Sequence, residues 1–277
     1  MIRYSGAARL LLLTALIGLL MGCGRFFQKE DPLETLPVEE MYTEAKSALT
    51  RGNLGRAQRY YQRLIARFPY GRYTEQAQLE LAYAQFKDNK PADASSTINR
   101  FIKTYPAHQH IAYAYYLKAL VNFDRGNDLL DRIVRIDRTS RDQASLRQSF
   151  DDFADLIRRY PDSVYAADAR QRMVYLRNQL ARNEINVAKY YLRRGAYVAA
   201  AQRGQYVLEY YPQSAYQNDA LAVMAEAYRR LGQDTLANDA RRVLEKNDPQ
   251  HPYLSGDWPK GRAWWRKLLP IGSEQAG

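Results

Sequence analysis

Apolar positions along the chain recur with the spacing of α-helices that pack against other helices. Five prolines give a register for comparing the segments, namely Pro69, Pro106, Pro161, Pro212 and Pro249. Five residues before each proline stands a large apolar residue, and twelve residues before it stands a small one. Because seven residues make about two helical turns, both positions lie on one face of a helix. The pattern predicts five helices, each closely packed on a neighbour and each ended by its proline.

A second set of helices follows from a second column of small residues. Eight residues after the first four prolines stand Ala77, Ala114, Ala169 and Ala220. Glycine separates the two helices of three units, at Gly52, Gly195 and Gly232, and its conformational freedom suits a tight turn. Helix, turn, helix and proline, repeated with a period of about 34 residues, is the signature of tetratricopeptide repeats. The predicted fold class is all-α, an α-solenoid of about five such repeats.

The spacing of the prolines places inserts in the third and fourth repeats. Successive prolines are 37, 55, 51 and 37 residues apart. In the third repeat, the segment from Asn127 to Gln143 is charged and lacks helical periodicity, so we predict an exposed loop. In the fourth, the segment from Val164 to Arg194 contains neither proline nor glycine and keeps helical apolar spacing. We predict one long helix there, about 45 Å at 1.5 Å per residue.

The start of the chain has the pattern of a secretory signal. A basic beginning precedes an apolar stretch from Leu10 to Leu20, which is shorter than the roughly 20 residues of a membrane-spanning helix. The stretch leads to Cys23, the only cysteine, and residues 20–23 (LMGC) resemble the bacterial lipobox. We therefore expect a covalent diacylglycerol and an N-acyl chain on Cys23, and no other cofactor. The alternative is an ordinary secretory signal with an incidental thiol.

Four segments follow from these patterns. Residues 1–22 are a signal peptide, 23–37 a lipidated N-terminus and flexible tether, 38–250 the repeat domain, and 251–277 a basic, aromatic tail. The residue after the cysteine is Gly24 rather than aspartate, and by similarity to other bacterial lipoproteins this favours sorting to the outer membrane. The predicted location is the outer membrane, with a lipid anchor and the folded domain facing the periplasm.

Charge and chemistry favour a binding protein over an enzyme. The formal net charge of +11 favours anionic partners, which include lipid headgroups, acidic proteins and nucleic acid, without choosing among them. The chain has no glycine-rich phosphate loop or nucleophile elbow, and its three histidines lack the spacing of zinc ligands. The acidic pair Asp151–Asp152 is interpreted as solvated helix surface. We predict a non-enzymatic protein with no catalytic residue and no metal site.

The aromatic residues around the first proline are a candidate binding site. Residues 68–73 (FPYGRY) are richer in aromatic side chains than the corresponding segments of later repeats. Such a patch can accept an apolar or aromatic peptide. We predict that Phe68 and Tyr73 bind an unfolded substrate. The alternative is that they only pack within the repeat.

The tail is a second candidate for contact with other molecules. It interleaves aromatic and cationic residues, including Trp264, Trp265, Arg266 and Lys267. Tryptophan favours the membrane–water boundary, and each nearby cation can gain about 1 kcal/mol at an anionic surface. We predict that these four residues contact lipid or an acidic partner. The alternative is a disordered tail or a helix packed on the last repeat.

Several local sequences, together with the lipobox and the repeats, resemble the BamD family of outer-membrane lipoproteins. The segments are 67–73 (RFPYGRY), 136–142 (IDRTSRD), 150–153 (FDDF), 158–161 (RRYP) and 194–197 (RGAY). The resemblance implies a non-enzymatic subunit of the β-barrel assembly machinery. It implies binding to the periplasmic domains of the barrel-forming subunit, to accessory assembly lipoproteins and to unfolded outer-membrane proteins. The alternative function is an envelope scaffold lipoprotein that acts in peptidoglycan organisation or DNA uptake.

The resemblance also places the partners on the chain. Family members bind the substrate signal near the N-terminal repeats and the barrel-forming subunit near the C-terminal repeats. On this basis Arg193, Arg194 and Arg203 are predicted to bind the barrel-forming subunit, because a planar guanidinium can pair with a carboxylate through two hydrogen bonds. The alternative for each arginine is solvated helix surface. We expect Arg203→Glu to weaken copurification with the barrel-forming subunit and to leave thermal unfolding nearly unchanged.

Overall fold

The computed structural model describes residues 35–125, 143–256 and 258. Within these residues the chain forms ten α-helices and no β-strand. The helices are α1 (Val38–Thr50), α2 (Leu54–Arg67), α3 (Arg72–Lys87), α4 (Pro91–Thr104), α5 (Ile111–Arg125), α6 (Gln143–Arg159), α7 (Ala166–Arg193), α8 (Tyr197–Tyr210), α9 (Gln217–Arg230) and α10 (Asp234–Asn247). Taken in pairs they form five helix–turn–helix repeats, and the all-α tetratricopeptide fold is confirmed. Residues 1–34, with the predicted signal and Cys23, and residues 126–142, with all of the predicted loop except Gln143, lie outside the described residues.

Each repeat ends at its proline in the same way. The N–H of the residue before the proline donates to the carbonyl four residues earlier, with N–O distances of 2.8 to 3.0 Å. The pairs are Phe68 to Leu64, Tyr105 to Phe101, Tyr160 to Leu156, Tyr211 to Val207 and Asp248 to Leu244. The five acceptor residues are the large apolar column, and all are fully buried, as the periodicity predicts.

The turn inside a repeat is also shared by the first, second, fourth and fifth repeats. It contains a residue with positive φ: Gly52 (+75°), Asn89 (+55°), Gly195 (+75°) and Gly232 (+70°). The N–H of the next residue donates to the carbonyl five residues earlier, at 2.9 to 3.0 Å, which is the Schellman arrangement of a helix end. Three of these residues are the predicted glycines. In the second repeat Asn89 replaces glycine, because asparagine tolerates the left-handed conformation better than most residues.

The chain divides into two compact units, Met1–Ala77 and Gln78–Gly277. In the first unit α1 packs against α2. The fully buried residues of these two helices are Met41, Ala45, Ala48, Ala57, Tyr61 and Leu64. The alanines allow the two helices to approach closely, and Tyr61 and Leu64 fill the remaining space.

In the second unit, α7 explains the long spacing of the fourth repeat. It is a single helix of 28 residues, as predicted. Its first half packs against α6, through Ala169 and Leu176 with Phe153. Its second half packs against α8, through Ile185 with Val207 in the next apolar cluster. The first half of α7 therefore packs against α6 and its second half against α8. The extra length of α7 accounts for the insert of the fourth repeat.

Part of the predicted tail belongs to the folded domain. After α10, residues 251–256 form turns, and His251 is buried. Tyr253, Leu254 and Trp258 pack against a cluster that contains Leu221 and Leu244. The first residues of the predicted tail therefore pack against the last repeats.

Candidate interaction surfaces

The aromatic turn, residues 68–73, connects α2 to α3. The Thr74 hydroxyl donates to the Phe68 carbonyl, and the Thr74 and Glu75 N–H groups donate to the Gly71 carbonyl at 3.0 and 3.2 Å. Gly71 has φ of +108°, a conformation that side chains rarely adopt. These contacts fix the backbone of the turn, so its aromatic side chains extend from a defined frame.

Phe68 and Tyr73, the two residues predicted to bind peptide, are half-buried, and each lies beneath a guanidinium. The Cζ of Arg67 lies 5.0 Å from the Phe68 ring centroid, and the Cζ of Arg72 lies 4.9 Å from that of Tyr73. The Tyr73 ring also packs against Tyr42 of α1, with centroids 5.4 Å apart. Both rings thus stabilise the turn and leave only part of their surface for a ligand.

Tyr70 is the accessible aromatic residue of this turn. Its side chain is 90% exposed, the highest value for a large apolar residue in the described part of the chain. Tyr70 is not among the residues predicted from the sequence to bind peptide. Its position supplies the signal, because a tyrosine between proline and glycine in a turn belongs to none of the packing columns of the repeat.

The arginine surface, which we define as Tyr190, Arg193 and Arg194, lies at the end of α7. Both arginines are exposed, and Gly195 follows them with φ of +75°. Arg194 donates through Nε to the Tyr190 hydroxyl at 3.2 Å, and its guanidinium lies 5.6 Å from the centre of that ring. Tyr190 is 46% exposed. The surface therefore presents two cations beside an accessible aromatic ring.

Arg203 has a different environment. Its Nη1 lies 2.8 Å from Oε2 of Glu184, whose side chain is 2% exposed. Arg147 of α6 reaches the other carboxylate oxygen, with Nη2 3.4 Å from Oε1. The hydrogen bond to Glu184 raises the pKa of Arg203. The pairing of Arg203 with a buried carboxylate favours a structural role for this arginine, so from the structure we expect charge reversal at Arg203 to lower the stability of the fold.

The buried carboxylate joins three helices, since Arg147, Glu184 and Arg203 come from α6, α7 and α8. Tyr211, which follows α8, belongs to the same region and is 7% exposed. Burial raises the pKa of Tyr211 to about 12; Tyr206 adds to the rise, and the nearby Arg147 opposes it. This region is therefore a packed polar junction, whereas Arg193 and Arg194 remain on the surface.

Glu184, which pairs with both Arg147 and Arg203, is not among the site residues predicted from the sequence. It lies four residues from both Leu180 and Ala188, which are buried on the apolar side of α7. A lone carboxylate at an apolar position of a helix is a signal for a buried ion pair. The identity of its partners is not readable from this pattern, because they lie on two other helices.

The interpretation of Asp151–Asp152 as solvated surface is wrong for one of the two residues. Asp151 is exposed, but the side chain of Asp152 is 3% exposed. Asp152 accepts hydrogen bonds from Asn122 Nδ2 at 2.8 Å and from Gln148 Nε2 at 3.1 Å, and Lys118 Nζ lies 2.9 Å away. The carboxylate therefore joins α5 to α6.

The side chains of His108 and His251 accept hydrogen bonds in turns. The His110 N–H donates to His108 Nδ1 at 3.1 Å, and the Tyr253 N–H donates to His251 Nδ1 at 3.2 Å. In the described residues no group of three or more histidine, cysteine, aspartate or glutamate side chains is placed to hold a metal ion. None of the helices described has both the length and the apolar character needed to cross a membrane. Cys23, Trp264, Trp265, Arg266 and Lys267 lie outside the described residues.

Comparison with known proteins identifies the family. The model of the YfiO family, described as outer membrane lipoprotein, matches residues 34–244. A relative from Xylella fastidiosa strain 9a5c, named outer membrane protein assembly factor BamD, is 48% identical over 267 residues, which cover 96% of this chain and 91% of the relative. Proteins of the same name from Neisseria meningitidis serogroup A and Haemophilus influenzae are 42% and 34% identical. They are matched over 83% and 86% of this chain and over 86% and 89% of their own lengths.

The family match includes both the aromatic turn and the arginine surface. The match covers three quarters of the chain, and the relatives are 34 to 48% identical in sequence. Both findings indicate the same family. The chain belongs to the YfiO/BamD family of outer membrane lipoproteins.

Proposed function

We propose that this chain is a non-enzymatic subunit of the machinery that assembles β-barrel proteins in the outer membrane. The observation that carries the proposal is the set of relatives named outer membrane protein assembly factors, which share 34 to 48% identity with most of the chain. This relationship supports a role in outer membrane protein assembly. The repeat fold agrees with it, because stacked helix pairs present extended surfaces for other proteins.

In this proposal Cys23 carries the lipid that anchors the protein to the outer membrane, with the repeats facing the periplasm. Each buried methylene of an acyl chain contributes roughly 0.8 kcal/mol to membrane binding. The variant Cys23→Ala should therefore appear in the soluble fraction or remain as a precursor. Retention of this variant on membranes after a high-salt wash, in cells without the assembly machinery, would contradict the lipid anchor.

The aromatic turn is the proposed contact for unfolded barrel proteins. Tyr70 is the most accessible ring of this turn, and Phe68 and Tyr73 are half-buried. Apolar burial contributes roughly 25 cal/mol per Å², so three partly exposed rings can hold a short aromatic segment. Rigid support of the turn by Gly71 and Thr74 reduces the ordering that binding requires.

The arginine surface is the proposed contact for the periplasmic domains of the barrel-forming subunit. Arg193 and Arg194 are exposed cations beside Tyr190, a combination that suits an acidic surface. Arg203 supports the contact only indirectly, by holding α8 against α7 through Glu184. Accessory lipoproteins are proposed as further partners of the complex.

The tail is proposed as a second attachment to anionic lipid or to an acidic partner, through Trp264, Trp265, Arg266 and Lys267. Because Trp258 already packs on the repeats, the segment to remove is 259–277. A soluble form without the anchor should float with anionic vesicles less well after this truncation. Equal flotation of the two forms would contradict the lipid contact.

A recovery experiment tests the proposed function as a whole. The tagged chain, extracted from membranes in mild detergent, should bring with it a barrel-forming protein and other lipoproteins. The double variant Arg193→Glu/Arg194→Glu should recover less of the barrel-forming protein. Recovery of peptidoglycan or DNA in place of barrel proteins would instead favour an envelope scaffold.

A further inference from the structure

Trp258 packs on the last two repeats through a specific set of contacts. Its indole Nε1–H donates to Oδ1 of Asp219 in the first turn of α9, at 3.1 Å. The ammonium of Lys189 on α7 lies 5.0 Å from the centre of the indole ring. The Tyr253 ring meets the indole edge-on, with centroids 5.8 Å apart. A hydrogen-bond acceptor, a cation and an aromatic edge therefore surround a single side chain.

The residues that receive Trp258 are held in place without it. Lys189 and Asp219 form an ion pair across α7 and α9, with Nζ 2.7 Å from Oδ1. Apolar contact comes from a cluster that contains Leu221, Ala222 and Leu244, all anchored in helices. The site is thus built by the repeats, and an indole needs only to enter it.

The site is also at the surface. The Lys189 and Asp219 side chains are 25% and 24% exposed even with Trp258 in place. The backbone of residues 251–256 bonds within the segment, as in Leu254 N–H to the His251 carbonyl at 2.9 Å. Departure of the Trp258 side chain therefore breaks contacts of one residue and leaves the helices intact.

We propose that the Lys189–Asp219 site recognises a tryptophan side chain of a partner peptide, and that Trp258 occupies it when no partner is bound. The acceptor selects an aromatic ring with an N–H donor, and the cation binds the face of that ring. Exchange of one indole for another conserves these contacts. This inference is independent of the aromatic turn and of the arginine surface, because it uses none of their residues.

Occupation of the site by Trp258 lowers the apparent affinity of the site for a partner peptide. A tethered side chain has an effective concentration in the millimolar range, so a free peptide at micromolar concentration competes poorly. If Trp258 fills the site about 90% of the time, the apparent affinity of an external peptide falls about tenfold. Removing the Trp258 side chain should raise the apparent affinity for the external peptide about tenfold.

The test uses the full mature chain with Cys23→Ser and a fluorescein-labelled peptide of residues 252–262 (PYLSGDWPKGR). Fluorescence anisotropy should show about tenfold tighter binding to Trp258→Ala than to the parent chain. Adding Asp219→Ala to that variant, which removes the acceptor, should abolish the gain. The matched control Trp265→Ala, which removes another tryptophan, should bind like the parent chain. Equal affinity of the parent chain and Trp258→Ala would overturn the proposal and leave Trp258 as a cap of the last repeat.

Nuclear magnetic resonance locates the exchange without any substitution in the site. In the ¹⁵N-labelled chain, unlabelled peptide should shift the indole N–H signal of Trp258 and leave those of Trp264 and Trp265 in place. A peptide with alanine at the tryptophan position should cause no shift. Peptide binding with an unmoved Trp258 signal would place the peptide elsewhere and overturn the proposal.

Discussion

The aromatic turn and the junction of α6, α7 and α8 use arginine in opposite ways. In the turn, Arg67 and Arg72 lie over the half-buried rings of Phe68 and Tyr73, at the surface. In the junction, a carboxylate that is 2% exposed is held between two guanidiniums. Exposed cation–π contacts contribute about 0.5–1 kcal/mol, whereas breaking a buried ion pair costs about 3–5 kcal/mol. The burial of the partner therefore decides whether an arginine serves binding or stability.

Two glycines elsewhere in the helices differ in how closely the surrounding atoms pack. In α8, a Cβ added at Gly204 would lie 2.8 Å from Met224 Cγ and 3.0 Å from the Ala220 carbonyl oxygen. In α2, a Cβ added at Gly55 would meet nothing within 4 Å. Helices α8 and α9 are therefore in close contact at Gly204, whereas the start of α2 has free space at Gly55.

The largest expected effect is at the junction. The variant Arg203→Glu should lower the free energy of unfolding by about 2–4 kcal/mol, because it removes one partner of Glu184 and adds a like charge beside it. Urea denaturation measures the change. In a Glu184→Gln background the same substitution should cost at least 1 kcal/mol less, since neighbouring residues couple. Arg193→Glu, the matched surface control, should change stability by less than about 0.5 kcal/mol. Equal losses for Arg203→Glu and Arg193→Glu would remove the distinction between the two arginines.

A pair of glycine substitutions compares the packing directly. Gly204→Ala should destabilise the protein by about 1–3 kcal/mol, because the carbonyl of Ala220 must move to admit the methyl group. Gly55→Ala should be neutral or stabilising by up to about 0.5 kcal/mol, since alanine favours helix and the site is open. Thermal unfolding followed by circular dichroism tests both. If both variants lose stability alike, the difference in packing is wrong.

Alkaline pH probes the same junction through Tyr211. A pKa raised from 10 to about 12 means that the folded state favours the neutral phenol. The resulting stabilisation is complete below pH 10 and is lost as pH rises toward 12, because the unfolded state releases its proton first. Relative to Tyr211→Phe, the parent chain should lose about 2 kcal/mol between pH 9 and pH 12. Urea unfolding at several pH values provides the measurement, and parallel curves for the two chains would contradict it.

The sequence predicts the repeat because its columns repeat the same local contact. Val207 and Ala200 have the same helical environment as Leu64 and Ala57, and all four are fully buried. The length of α7 is predictable for a similar reason, since neither proline nor glycine interrupts it. Such features depend on neighbours along one helix, which the sequence places at fixed distances.

Contacts between different helices are not predictable in this way. The apolar position of Glu184 signals a buried ion pair, but the sequence does not identify its partners, and Asn122 and Lys118, which bind Asp152, also lie on another helix. The sequence does not distinguish the two arginines. Arg203 lies on α8 and pairs with Glu184, whereas Arg193 is exposed at the end of α7. The sequence therefore indicates which segment carries the candidate arginines. Only the packing of α6, α7 and α8 shows which arginine is structural and which are accessible.

The arginine surface should affect binding without affecting stability. Arg193→Glu/Arg194→Glu should reduce copurification of the barrel-forming protein about tenfold or more, because both cations become like charges toward an acidic partner. Its unfolding should stay within about 0.5 kcal/mol of the parent chain. Arg193→Lys/Arg194→Lys, which keeps charge and loses the planar fork, should fall between the two. Unchanged copurification of the glutamate variant would exclude this surface as the docking site.

The smallest effect on stability is expected at Tyr70. Substitution there should change substrate binding and leave the fold unaffected. With its side chain 90% exposed, Tyr70→Ala should change the free energy of unfolding by less than about 0.5 kcal/mol. Tyr73→Ala, which removes the contact with Tyr42, should cost about 1 kcal/mol or more. A photocrosslinker at residue 70 should nonetheless capture unfolded barrel proteins more efficiently than one at residue 68 or 73, because accessibility controls capture. Stronger capture at residue 73 than at residue 70 would show that the ligand enters beneath the turn, against the packed face of the tyrosine.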